Sequence, residues 1–173
     1  AWEALVRARD IPDWLLPPPS AIARSLIDDR ALLLHHTWAT LEEVLLGFGL
    51  ALSAGILLGI AIVGSRTVER ALYPIVIASQ TIPIPAIAPL MLIWFGYGLL
   101  PKVLITALIG FFPIAVSTVD GLRSLDPALN DLFRLLHANW WQRLRLAMLP
   151  AALPAIFSGA KVAVAVCVIG AVF

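Results

Sequence analysis

Residues 45–63 read LLGFGLALSAGILLGIAIV, an uncharged run of about 20 residues, long enough as a helix to cross roughly 30 Å of hydrocarbon. Gly47, Ser53, Gly55 and Gly59 recur along it as a small-residue face. The pair Gly55 and Gly59 has the small-xxx-small spacing that lets a second helix approach closely, although glycine is also simply common in such helices. Working outward, Gly64 to Arg70 is a short loop with two arginines, and then ALYPIVIASQTIPIPAIAPLMLIWFG occupies 71–96. That stretch is long enough to span, but Pro74, Pro83, Pro85 and Pro89 interrupt it. Each interior proline removes a backbone donor. In lipid the freed carbonyls need protein or a watery cavity. Ser79, Gln80 and Thr81 at the expected break therefore either line a solute pathway or satisfy those carbonyls.

YGLLPK, 97–102, reads as a tight turn, and VLITALIGFFPIAVSTV, 103–119, as another span with Pro113 inside. A further span begins at Pro154 and runs to Phe173. Residues 1–43 are the least hydrophobic part. Pro17 to Pro19 impose an extended stretch, after which Ser20 can cap a short helix through Ile27. Glu42 and Glu43 are expected to close this region before the first span. The chain starts at Ala1 and stops inside an apolar run, so the expectation is a fragment lacking a first and a last span.

Composition agrees with a membrane protein. The chain is 61% hydrophobic and 13% charged, with mean hydropathy +0.94, whereas soluble domains average about 45–50% and 25%. A chain of 173 residues cannot hide that surplus in its own core. The net charge of +1 gives no electrostatic footprint for nucleic acid. Cys167 is alone and has no metal-ligand spacing, and the adjacent His35 and His36 lack the i, i+4 relation of a metal pair. No metal site is expected. Lys and Arg counts orient the chain. The loops 64–70 and 120–148 share one side and carry Arg66, Arg70, Arg123, Arg134, Arg143 and Arg145; the opposite turn has Lys102 alone. The 120–150 segment is therefore expected in the cytoplasm and 1–43 outside, against the weight of Arg7, Arg9, Arg24 and Arg30.

Between spans lies SLDPALNDLFRLLHANWWQRLRLAMLPAALPAI, 124–156. Asp126 followed by Pro127 is a helix start. Leu125, Leu129, Leu132, Leu136 and Trp140 form an apolar stripe at helical spacing, with Asp131 and Arg134 off it. The helix should end near His137. Asn139 then opens a second short helix, with Gln142 as the reciprocal partner of a capping box. Such a unit is either an amphipathic surface element or a docking element for a soluble partner.

This segment resembles the EAA loop of binding-protein-dependent ABC importer permeases, whose pattern is roughly E-A-A-x-x-x-G-A, an aromatic, then L-P-x-x-x-P. Leu149, Pro150 and Pro154 match the closing portion. Asp131 falls on the acid, Ala138 on the alanine after the glycine, His137 on the glycine, Leu144 on the aromatic, and Leu132 and Phe133 on the paired alanines. LLPPPSAIARSL, LIWFGYG and FFPIAVSTVDGLRSLDP resemble the nitrate/sulfonate/taurine-type branch, and SGAKVAVAVCVIGAVF is most similar to permeases for thiamine-pyrimidine precursors, with riboflavin and sulfonate permeases close to it.

The resemblance implies an all-α, polytopic transmembrane bundle of the type I importer permease (MetI-like) kind in a prokaryotic inner membrane. It implies cytoplasmic ABC ATPases that hold the ATP and Mg, an extracytoplasmic substrate-binding protein, a second permease copy and surrounding membrane lipid. Asp131, Arg134, His137, Ala138, Asn139, Leu149, Pro150 and Pro154 become the expected ATPase-coupling residues. Ser79, Gln80, Thr81, Ser117 and Lys161 are the candidates along a solute pathway, with interface packing and snorkelling as the other readings of the last two. The chain itself has no GxxxxGK[ST] phosphate cradle and needs no cofactor of its own. An intramembrane enzyme would require a nucleophile–base pair within the spans, and none is present. A membrane scaffold would have no ATPase partner.

Overall fold

The computed structural model describes residues 2–9, 11–12, 14–81 and 83–171, and it is helical throughout them apart from connections. In order the helices are α1 Trp2–Ala8, α2 Pro19–Asp28, α3 Arg30–Gly64, α4 Arg66–Ser79, α5 Ile84–Phe95, α6 Leu99–Arg123, α7 Pro127–Leu135, α8 Trp140–Arg143 and α9 Leu149–Ala171, with a π-helical turn Leu144–Met148 between the last two. The chain divides into two compact units, 1–41 and 42–173.

In the first unit the proline run does what its fixed φ requires: Pro18 is extended and Pro19 opens α2. Ser20 is not the cap expected of it. It sits inside the first turn, where its hydroxyl donates to Glu3 Oε1 at 2.6 Å and its amide to Glu3 Oε2 at 3.1 Å. Arg7 reaches the same carboxylate. These Ser20 hydrogen bonds, with Arg7 beside them, hold the half-buried Glu3 carboxyl below the usual carboxylate range.

Among the described residues, three helices are long and apolar enough to cross a membrane: Arg30–Gly64, Leu99–Arg123 and the continuous Trp140–Ala171. Three expected boundaries change. α3 begins at Arg30 and passes through Glu42 and Glu43 without a break. The carboxylate of Glu43 is 8% exposed and accepts from Lys102 Nζ at 2.8 Å; pairing removes the reason for the helix to stop there. The 71–96 stretch is two helices, α4 and α5, because Pro83 cannot donate into a helix that continued from Ser79. The last span starts earlier, at Trp140, and encloses both Pro150 and Pro154.

The core is built on glycines. A Cβ added to Gly47 would lie 2.5 Å from Thr106 Cγ2, one on Gly55 2.8 Å from Ile114 Cγ2, and one on Gly59 2.6 Å from Thr118 Cγ2. Each contact joins positions 59 apart, as does Glu43 with Lys102, so α3 and α6 run side by side in the same direction. Ser53 is off this seam; its hydroxyl bonds back to its own helix at Gly49 O. α9 packs antiparallel to α6, with Gly121 against Ala152, Gly159 against Ser117 and Gly110 against Cys167, and it also touches α3, where Val44 clusters with Cys167 and Ala51 with Ala163. Small residues let the backbones close where lipid supplies no hydrophobic drive between helices. The outer faces carry Leu57, Ile93 and Trp94, all exposed. This topology brings the ends of α3 and α6, the start of α9 and the whole 124–148 segment to one end of the bundle, with Glu43, Lys102 and Gly170 at the other.

Candidate functional site

The segment after α6 is a rigid elbow. Asp126 Oδ1 accepts from the amide of Ala128 at 2.8 Å and caps α7, with Pro127 in its first turn. α7 ends in a Schellman motif: the amide of Ala138 bonds to Phe133 O and that of His137 to Arg134 O, both at 3.0 Å. His137 takes the left-handed position of that motif with φ 51°, the one non-glycine residue of positive φ among the described residues. Asn139 and Gln142 then form a complete capping box, side chain to backbone in both directions at 2.8 and 2.9 Å. A closed C-terminal cap runs directly into a closed N-terminal cap, leaving the turn few soft dihedrals.

The two arms of the elbow differ. The second is not a separate short helix: α8 continues through the π turn into α9. The amide of Leu149 bonds to Leu144 O, five residues back. The widened turn lies just ahead of Pro150, whose ring would press on the carbonyl four residues earlier and which has no hydrogen to offer it. Leu144 and Met148 are buried with Leu122, Ala152 and Ile156, and Leu149 packs on that cluster. Pro150 and Pro154 lie on the exposed side. Trp140 covers Gly64 at the end of α3, where a Cβ would come within 2.8 Å of the indole.

The first arm, α7, has no buried residue. The expected apolar stripe divides: Leu125 and Trp140 pack on the core cluster, while Leu132 and Leu136 stay exposed alongside Leu135 at 77%. Asp131 and Arg134 face each other at 3.4 Å, both 68% exposed. A pair so solvated contributes little to stability and leaves both charges available to a partner. Sequence reasoning missed the group that braces α7: Arg143 Nη1 donates to Asn130 Oδ1 at 3.3 Å. It missed equally the Arg123–Glu69 pair at 2.6 Å that ties α6 to α4.

A cavity of about 400 Å3 opens where α4 breaks. Ser79, Gln80, Ile87, Phe112, Pro113 and Val162 are among the residues lining it. The Ser79 hydroxyl donates to Val76 O and the Thr81 hydroxyl to Ala78 O, each at 2.7 Å. The carbonyl-satisfying role therefore accounts for both hydroxyls, and the Gln80 amide is the side chain of the three not spent on it. Ser117 is not among the lining residues; it sits against Gly159 in the α6–α9 seam. Lys161 lies in a separate apolar cleft with Phe48, Leu52 and Phe157. The five pathway candidates are thus not one constellation.

The family model described as the binding-protein-dependent transport system inner membrane component matches residues 51–173. This chain belongs to that family. Among its relatives, the formylaminopyrimidine transport permease protein ThiX of Halalkalibacterium halodurans is 40% identical over 171 residues, 98% of this chain and 68% of that protein. The riboflavin transport system permease protein RibX of Chloroflexus aurantiacus is 42% identical over 173 residues, covering 99% and 65%. The taurine transport system permease protein TauC of Escherichia coli is 33% identical over 172 residues, covering 95% and 62%. The chain spans about two thirds of the length of these relatives. It is an ABC importer permease subunit, a multi-pass inner-membrane component and not an enzyme; ATP hydrolysis belongs to a separate subunit. Family membership carries an ABC ATPase and a substrate-binding protein as partners.

Proposed function

We propose that this permease passes a small, uncharged, polar heterocycle of the thiamine-pyrimidine-precursor kind inward, and that α7 is the element through which a cytoplasmic ATPase drives it. The observation that supports the coupling role is an amphipathic helix with no buried residue, held on a doubly capped elbow at the end of the bundle. Such a helix can seat in a cleft of the ATPase, which binds the ATP and Mg. Asp131 and Arg134 then meet its charges, His137, Ala138 and Asn139 keep the arm's angle, and Leu149, Pro150 and Pro154 set the entry into α9. The 120–150 loop lies in the cytoplasm and 1–43 on the outer side. A second copy of the chain completes the pathway, and the lipid-facing leucines and tryptophans surround the dimer.

For the solute, the described residues lining the cavity beside Gln80 include no charged side chain. A sulfonate or ammonium would shed water there with no counter-charge, whereas a flat neutral ring could stack on Phe112 and use the Gln80 amide. The likeness to a formylaminopyrimidine permease agrees with this, and riboflavin, also an uncharged ring system, is the second reading. Co-purification of the complex tests the coupling role: Leu135→Asp with Arg134→Glu should strip the ATPase from the membrane complex, and undiminished ATPase recovery would overturn it. Uptake of labelled formylaminopyrimidine, riboflavin and taurine by the intact system separates the solutes. Preferred uptake of taurine would overturn the neutral-ring assignment.

A further inference from the structure

We propose that Arg143 is the positioning residue that makes α7 and the long helix α8–α9 move as one body, acting through its hydrogen bond to Asn130. The proposal rests on α7 being the coupling element and asks how its displacement reaches the spans.

No residue of α7 is fully buried and only Asn130 and Phe133 are half-buried, so packing holds it to the bundle weakly. Among the described residues, the side-chain bond that crosses the elbow beyond its covalent ends is Arg143 to Asn130. Arg143 belongs to the other arm. It stands one residue before the buried Leu144 and three after Trp140, which is seated on Gly64. Its stem lies in a groove with Val63, Leu122, Leu125 and Met148. The root of this side chain is therefore anchored in the core while its head holds the exposed arm. The guanidinium is otherwise poorly employed: Nε is buried without a hydrogen-bond partner among the described residues. Such an orphan is costly and calls for an explanation. A structural arginine would be expected to find an acid, yet here the partner is a neutral amide. A brace explains the choice of arginine over a shorter or apolar residue: its long stem lies along the groove and one N–H of the guanidinium reaches the Asn130 side-chain oxygen on the other arm. A push on α7 without this bond would turn the arm about the elbow. With it, the push passes into α8, the π turn and α9, which lines the cavity at Val162 and Val166.

The experiment uses the permease with its ATPase in liposomes, carrying Ser79→Cys as reporter and Cys167→Ser so that the reporter is the thiol read. The labelling rate with N-ethylmaleimide is compared before and after trapping with ATP and orthovanadate. In the otherwise unsubstituted chain, trapping should change labelling by at least about fivefold, the low end of ordinary allosteric coupling. Arg143→Gln and Asn130→Ala should each lose most of that change while the ATPase still co-purifies. The double variant should be no worse than either single, because the two act through one bond. Asn130→Asp, which gives the guanidinium an acid, should keep the change. A response in both single variants as large as in the unsubstituted chain, additive losses in the double, or no response in the unsubstituted chain would each overturn the proposal. Should Arg143→Gln not assemble, Asn130→Ala, at an exposed-arm amide, decides alone. Failure of the coupling reading shows differently: Leu135→Asp with Arg134→Glu would leave the ATPase bound.

Discussion

At the residue scale the least comfortable position is His137, which holds φ 51° where the family pattern has glycine. A Cβ in the left-handed region costs about 1–2 kcal/mol, reduced for residues that tolerate it. His137→Gly should therefore raise the stability of the elbow by roughly 1 kcal/mol, seen as stronger amide protection at Ala138 in hydrogen exchange, with ATPase recovery unchanged. His137→Val should do the opposite, since a β-branched residue is a true outlier there. Glu3 gives a pH prediction. Its folded pKa lies below its unfolded one, so its contribution is complete above the usual glutamate value of about 4.3 and is lost as pH falls through the lowered folded value. Protection of the Ser20 amide, which donates to Glu3, should fall over that acid range and lose the pH dependence in Glu3→Gln. Neither residue's geometry stood in the sequence. The EAA pattern marked His137 as the turn, but Ser20 passed for a helix cap because a distant Glu3 that claims its hydroxyl leaves no local trace.

At the scale of helices, the seam between α3 and α6 is the most sensitive feature. Gly59→Leu would drive a side chain into Thr118 and the backbone of α6. Overpacking of this kind costs about 1–3 kcal/mol, to be read as a lowered Tm of the detergent-solubilised permease, while Gly49→Leu, at a position with open space around it, should be neutral. At the opposite end, Lys102→Ala should cost about 1–3 kcal/mol by leaving the Glu43 carboxylate without its partner, and Glu43→Gln in the same chain should recover part of it. The helices themselves were largely legible: apolar length marked α3 and α6, and the proline cluster marked the α4–α5 break. Their limits were not. Glu42 and Glu43 look like the edge of a span until Lys102, from another helix, is placed opposite. The π turn was equally hidden, because it answers to the ring of Pro150 within a helix that the pattern of short elements had divided.

At the scale of the whole molecule, the parallel run of α3 with α6 and the antiparallel return of α9 assign the ends. An impermeant maleimide should label Leu135→Cys only in inverted vesicles and Tyr97→Cys only in right-side-out cells; the reverse would overturn the cytoplasmic placement of the elbow. The amino-acid sequence by itself determined that the chain is a helical membrane protein, which family it resembles, and which loop carries the coupling pattern. The first follows from composition and helical period, which act within a few residues; the family and the coupling role are what the resemblance of the Asp131 to Pro154 stretch to the EAA pattern implies. Only the tertiary structure decided that the pathway candidates separate, with Gln80 at a cavity, Ser117 in a seam and Lys161 in another cleft, and that Arg143 grips Asn130. Such pairings depend on which helix faces cross, and close approach between glycine seams fixes those faces at distances along the chain that no local pattern encodes.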